Sequence, residues 1–372
     1  MKKALVLVLA LVLALGLLAG CGGKKETEAP QTEAPATEAP ATEAPETDAP
    51  ETDAPETEAP EAKNYTYPQV GEAANPAMVE QEPAEPLKFA FIGFANNSYW
   101  DLIYQGVDAA VANLGEHNVQ VDKINLGSDI TAEAINNALE TCASQGYDGI
   151  VVTVFVPGCE NYINDLVAGG CQVAIIGGDA PGECDRFCYI GQGDVPAATV
   201  IAQSIDEALG GEEGAEFAVI TATFAMANLE LKRNTVIEYL EGKGYKCVGS
   251  YEAHDSADET YDLTNQLITA NPNLKAIYMV AGGTYGAPRA AEENNVADKI
   301  YLIGHDETAE NLEYVRKGEL TVVGQNPTGY AYDAFIYLYN KVVAGQDPEE
   351  EVMASLALLI NKDNVDELFP AE

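Results

Sequence analysis

The sequence predicts an α/β protein built on parallel sheets with helices on both faces. Three observations predict it. Short apolar runs rich in Val, Ile and Phe alternate with segments of helical period through residues 88–344. The runs are continuously apolar, as strands covered on both faces are. Ten such runs suit two sheets better than one, and the break between the two series falls at Gly191-Gln192-Gly193.

The elements follow in order. Residues 88–93 read as the first strand, and 99–114 carry apolar residues at helical spacing with Ser98 as their N-cap. Strands at 119–126, 149–156, 173–177 and 187–191 alternate with helices at 131–145 and 160–168. The second series has strands at 216–221, 246–252, 276–280, 300–304 and 321–325. Its helices fall at 196–209, 228–242, 258–270, 285–294, 308–317 and 328–344. Strict strand–helix alternation of this kind makes parallel sheets.

Ahead of the folded part lies a different kind of chain. Met1-Lys2-Lys3, an apolar run from Ala4 to Leu15, and Leu17-Leu18-Ala19-Gly20-Cys21 follow the order of an export signal, basic end first and too short to span comfortably. The pattern resembles the lipobox of exported bacterial lipoproteins, which implies lipid on Cys21 after removal of residues 1–20. Seven copies of Thr-Glu/Asp-Ala-Pro then fill residues 27–60. A proline in every fifth position blocks helix and sheet ladders. Without large apolar residues the segment cannot offset its ordering entropy. Residues 21–86 are therefore expected to form a disordered, lipid-anchored acidic stalk, whose repeat segment 26–62 would span on the order of 100 Å at roughly 3 Å per residue. Lys24 and Lys25 are placed to meet anionic headgroups. The expected location is the outer face of a single-membrane bacterium.

Composition excludes several classes. The chain has 372 residues and a formal net charge of −41. That charge excludes nucleic acid as a partner, since nucleic-acid binding needs a basic footprint. It also argues against holding an anion by simple charge. Besides Cys21 there are Cys142, Cys159, Cys171, Cys184, Cys188 and Cys247. Cys184 and Cys188 are close enough to pair, and buried free thiols are the equal alternative. There is no Cys-x-x-Cys pair, and His117, His254 and His305 are scattered, so no metal site is expected. No cofactor is implied.

In open parallel sheets, ligands bind beyond the carboxyl ends of the strands. There the sequence places Asn96-Asn97-Ser98-Tyr99-Trp100, Gly178-Asp179, residues 221–228, Gly282-Gly283-Thr284-Tyr285, His305-Asp306-Glu307 and Gln325-Asn326. Aromatics, amides and carboxylates dominate. No nucleophile has a matching base, so an enzyme is not expected. Carboxylates and amides pair with neighbouring hydroxyls, and flat rings pack on the apolar face of a sugar. This is the chemistry of holding a small hydroxyl-rich molecule.

Phe91-Ile92-Gly93, Asn97-Ser98-Tyr99-Trp100, Gly178-Asp179, Tyr189-Ile190-Gly191, Ile303-Gly304-His305-Asp306, Gly318-Glu319-Leu320 and Gln325-Asn326-Pro327 stand in an order and spacing that carry a family likeness. Over residues 87–350 the chain resembles type I periplasmic binding proteins of the ribose-binding kind, the substrate-binding subunits of sugar ABC transporters. The resemblance implies two Rossmann-like lobes joined by three hinge crossings, near residues 191–194, 325–327 and 353–356, with a ligand cleft between them. Residues 87–192 with 326–354 would form the N-terminal lobe, and 193–325 with 355–372 the C-terminal lobe. It further implies a monomeric binder that captures a neutral monosaccharide by hinge closure and delivers it to an ABC permease. A sensor subunit built on the same module, or a binder of a nucleoside, polyol or furanosyl signal, is the alternative.

Carried over by position, the resemblance assigns ligand binding to Asn97, Tyr99, Trp100, Asp179, Lys232, Asp306 and Gln325. The ordinary alternatives are a core aromatic for Trp100, helix caps for Asp179 and Asp306, and a solvated helix residue for Lys232. Three positions depart from the family. Ala180 stands where an arginine often follows the aspartate. Lys232, or Arg233 beside it, stands for the helix arginine. Ala281-Gly282-Gly283 replaces an Asn-Asp pair, with Tyr285 nearby as a further ligand-binding candidate.

Overall fold

The computed structural model describes residues 76–95, 97–355 and 357–370. The signal segment, Cys21 and the repeated Thr-Glu/Asp-Ala-Pro blocks lie outside the described residues.

The chain first forms β1 (Leu87–Gly93), α1 (Tyr99–Gly115), β2 (Val119–Asn125), α2 (Ala132–Gln145), β3 (Gly149–Val152), α3 (Glu160–Ala168), β4 (Gln172–Ile176) and β5 (Cys188–Gln192). It then crosses to α4 (Asp194–Leu209), β6 (Glu216–Thr221), α5 (Ala227–Gly242), β7 (Lys246–Glu252), α6 (Ala257–Ala270), β8 (Leu274–Met279), α7 (Gly286–Glu293), β9 (Tyr301–His305), α8 (Ala309–Lys317) and β10 (Thr321–Gly324). A long helix, α9 (Pro327–Ala344), returns to the first sheet and leads to β11 (Val352–Ser355). The chain ends with β12 (Leu358–Ile360) and α10 (Val365–Leu368) in the second lobe.

The first sheet has the order β11-β5-β4-β3-β1-β2 and the second β12-β10-β9-β8-β6-β7. Every pairing is parallel except β10 with β12. The sequence reading gave no strand at β11 or β12. β12 runs antiparallel because the short link from β11 brings the chain into the second sheet at its carboxyl edge, where Leu358 starts beside Gly324 at the end of β10.

The continuous apolar runs are explained by burial on both faces. In β1, Phe89, Phe91 and Ile92 are fully buried, each contributing about 1.5–3 kcal/mol relative to an exposed side chain. The first lobe has one contiguous core, and the second has a core on each face of its sheet. α1 and α9 pack closely because Gly106 has no side chain: a Cβ there would sit 2.1 Å from the Thr328 carbonyl oxygen. Thr328 Oγ1 also donates to the Leu102 carbonyl at 2.9 Å.

Helix ends show local chemistry. Thr131, Ser256 and Thr308 accept N-cap hydrogen bonds, and α2, α4, α8 and α9 stop at glycines in the left-handed conformation. Ser98, the expected cap of α1, makes no side-chain cap bond. Asn97 Oδ1 takes over, accepting from the Tyr99 amide at 3.1 Å.

The folded part begins before residue 87, within the expected stalk. Met78 is buried in the first core. Asn340 at the far end of α9 accepts from the Val79 amide at 2.9 Å and donates to the Ala77 carbonyl at 2.8 Å. Glu82 pairs with His117 at 2.8 Å. The Pro- and Glu-rich composition of residues 76–86 hid this docking, which depends on distant partners: Val79 and Asn340 lie 261 residues apart along the chain.

Three crossings join the lobes: after Gln192, between Gly324 and Pro327, and between Ser355 and Leu358. Side chains tie the first two together. Gln192 Nε2 donates to the Gly324 carbonyl at 3.2 Å. The buried Glu307 carboxylate accepts from the Gln325 amide at 3.2 Å and the Asn326 amide at 2.9 Å. Asn326 has φ +56° and accepts from the Gly329 amide, so the crossing runs directly into α9.

Candidate functional site

The carboxyl ends of both sheets face one another across a cavity of about 80 Å³. From the first lobe, the turn after β1 supplies Asn97, Tyr99 and Trp100, and the turn after β3 supplies Phe155. From the second lobe, the start of α5 supplies Asn228 and Lys232, the turn after β7 Asp255, the end of β9 His305 and Asp306, and the second crossing Gln325.

One wall is aromatic. Trp100 is 2% exposed, with Phe94, Tyr99 and Phe155 packed edge-on at 5.1, 5.4 and 6.2 Å between ring centres. The contacts hold the indole in one orientation. The Tyr99 hydroxyl bonds to that of Tyr330 on α9, which fixes the second ring.

The facing wall is polar. Gln325 Nε2 donates to Asp306 Oδ1 at 2.5 Å. Burial pushes the Asp306 carboxyl up to about 6, against the opposing pull of Gln325 and Lys232. Burial and the neighbouring Asp306 charge push Glu307 up to about 7. Lys232 is buried and lies 3.3 Å from Asp194 Oδ1. Burial raises the Asp194 carboxyl, with Lys232 acting in the other direction. Arg233, the one-residue alternative, bonds to both Glu230 oxygens at 2.7 Å and lies over the Phe224 ring, away from the cavity.

Six of the eight candidates, Asn97, Tyr99, Trp100, Lys232, Asp306 and Gln325, line this cavity. The structure does not bring Asp179 to it. Both Asp179 oxygens receive Arg186, at 2.7 Å from Nε and 2.6 Å from Nη2, and Arg186 continues to Glu351 at 2.6 Å. The arginine absent at Ala180 is thus supplied from position 186, and it occupies the carboxylate. Tyr285 lines a smaller adjoining hollow with Asn97, Gly282 and Asp306. Sequence reasoning passed over Phe155 and Asp255, and set Asn228 and His305 at strand ends without assigning them to the ligand. Phe155 was read as lying inside a strand expected over 149–156, which ends at Val152, and Asp255 as part of a loop and helix start.

All six described cysteines are free, Cys184 and Cys188 included. Burial pushes the Cys142 and Cys159 thiols up to about 11, so they pack as small apolar groups. Among the described residues no cluster of His, Cys, Asp or Glu has metal-binding geometry, and no helix is long and apolar enough to cross a membrane.

The D-allose-binding periplasmic protein of Escherichia coli is 31% identical over 121 residues, 32% of this chain. The chain spans about two fifths of that relative, 39% of its length. The crystal structure of a glucose-galactose binding protein from Geobacillus stearothermophilus superposes with a TM-score of 0.66 at 24% identity, covering 77% of this chain and all of the other. A solute-binding protein of Actinobacillus succinogenes with bound D-allose gives 0.69 at 17% identity, over 76% and 100% of the two chains. One from Burkholderia graminis in complex with D-arabinose gives 0.69 at 21%, over 76% and 98%. These likenesses establish the two-lobed fold. A family model matches residues 89–347, most of the described chain, and on that match the protein belongs to the periplasmic binding protein domain family.

Proposed function

We propose that this protein is the solute-binding subunit of an ABC importer and captures a neutral monosaccharide between its lobes. One observation carries the reading. A fixed aromatic wall around Trp100 and Phe155 faces the Asp306–Gln325 pair and Lys232 across a cavity built from both lobes. An aromatic face with opposed carboxylate and amide groups suits a sugar ring and its hydroxyls. Ligand contacts to both lobes favour the closed arrangement over the open one. Nothing in the cavity pairs a nucleophile with a base, and the role is capture without turnover. A lipid on Cys21 holds the binder at the membrane beside its permease. Asp179, engaged by Arg186 outside the cavity lining, does not contact the sugar.

The chain has one tryptophan, and it is Trp100, so binding reports on itself. Titration with D-allose, D-arabinose, D-glucose and D-galactose is expected to change the tryptophan emission for at least one of them. That sugar should also raise the melting temperature in proportion to the logarithm of its concentration over Kd. A flat response to all four in both measurements removes the monosaccharide reading.

A further inference from the structure

We propose that His305 is a specificity-determining ligand donor, presenting its Nδ1–H to an acceptor oxygen of the bound sugar. The inference rests on the sugar reading above and deepens it, by naming the atom on the second lobe that reads one of the sugar's oxygens.

His305 closes β9 at the cavity wall and is 2% exposed. Its Nε2 lies 2.9 Å from the hydroxyl of Tyr278, a fully buried residue on β8. Burial, helped by the Lys232 charge, holds the imidazole well below its usual pKa, so the ring is neutral and carries one proton. Burial likewise keeps the Tyr278 phenol protonated. Two arrangements are then open. If Nε2–H donates to the phenol, the phenolic proton has no acceptor and Nδ1 has no donor, leaving two buried groups unsatisfied. If the phenol donates to Nε2, only one group is left, the Nδ1–H. Buried polar groups are nearly always paired, so the second arrangement is assigned.

That leaves Nδ1 without a partner among the described residues, in a residue that lines the cleft. It is not alone. Asn228 Oδ1, on the same wall, is a buried acceptor without a partner. Lys232 adds a second donor near the imidazole. A neutral polyol satisfies all three: one hydroxyl oxygen accepts from His305 and Lys232, and a neighbouring hydroxyl donates to Asn228. A sugar lacking that first oxygen leaves the Nδ1–H orphaned, which is how a polar site rejects a deoxy analogue.

The test separates the two ring nitrogens. Nitrogen NMR of the ligand-free protein should show His305 as the Nδ1–H tautomer; an Nε2–H tautomer overturns the proposal whatever the protein binds. His305→Gln places an amide near Nε2 and nothing at Nδ1, whereas His305→Asn places an amide near Nδ1. With the sugar that binds wild type in the panel above, His305→Gln should melt near wild type yet bind about tenfold more weakly, the loss of one neutral hydrogen bond. His305→Asn should melt lower, because Tyr278 loses its acceptor, yet bind within about threefold of wild type, on the same hydrogen-bond reasoning. Wild-type affinity in His305→Gln overturns the proposal. If no sugar in the panel binds wild type, the monosaccharide reading falls while the tautomer measurement still decides the state of His305.

Discussion

The Asn97 amide lies against Gly282 of the opposite lobe, so closely that a Cβ at 282 would stand 2.6 Å from Asn97 Nδ2 and 3.1 Å from Asp255 Oδ1. The Gly282 amide donates to Asp255 at 2.9 Å, which holds the turn after β8 in this position. The Ala281-Gly282-Gly283 turn, a departure from the family pattern at the sequence level, is what lets the first lobe approach the second this far.

Gly282→Val should therefore keep the lobes from meeting. The side chain would clash with the Asp255 carboxylate on one side and the Asn97 amide on the other. Sugar affinity is expected to fall by at least about tenfold, since binding requires the closed form. Small-angle scattering at saturating sugar should give a larger radius of gyration than wild type. An unchanged radius and affinity would show that the lobes do not need this contact.

Asp306 makes the free protein's stability depend on pH. Its carboxyl is raised to about 6 by burial, so the folded state holds a proton that the unfolded chain releases near pH 4. The stabilisation from that proton is complete below the unfolded pKa and is lost as pH rises through about 6. Asp306→Asn removes the buried charge and keeps an acceptor for Gln325. In ligand-free melts the variant should differ little from wild type near pH 4 and exceed it at pH 8, while sugar binding weakens. Equal differences at the two pH values would count against a buried, ionising Asp306.

Lys232 and Arg233 are adjacent but face different surroundings. Lys232→Met should weaken sugar binding at least about tenfold and lower the melting temperature, because it also leaves Asp194 without its cation. Arg233→Met should bind sugar as wild type does, since that guanidinium serves Glu230 and Phe224. A reversal of the two results would assign the family's arginine position to Arg233.

Much of this arrangement is written in the sequence. Buried parallel strands need apolar residues on both faces, so runs such as Phe89–Gly93 and 149–152 announce themselves. The candidate site was legible to the extent that strand ends are legible: residues just past them necessarily lie at the carboxyl edge of a parallel sheet. β11 and β12 gave no such signal. Each is short and partly exposed, and its pairing is decided by the free edge of β5 or β10. Asp179 lies outside the cavity lining for a related reason. Its position in the sequence matched, but Arg186, seven residues on, takes both oxygens through a loop whose path no local pattern encodes.

The sequence by itself determined the alternation of strand and helix, the two-sheet organisation and the set of polar and aromatic residues at the strand ends. Those depend on hydrophobic period and on short-range backbone chemistry. Only the tertiary structure decided which of those residues converge. Lys232 rather than Arg233 lines the cavity, Asp179 stands outside its lining, residues 77–81 dock on α9, and His305 keeps a nitrogen without a partner among the described residues beside the cavity. Each of these is set by a partner distant in the chain, and a side chain's hydrogen-bond balance is fixed only when the fold has brought that partner to it.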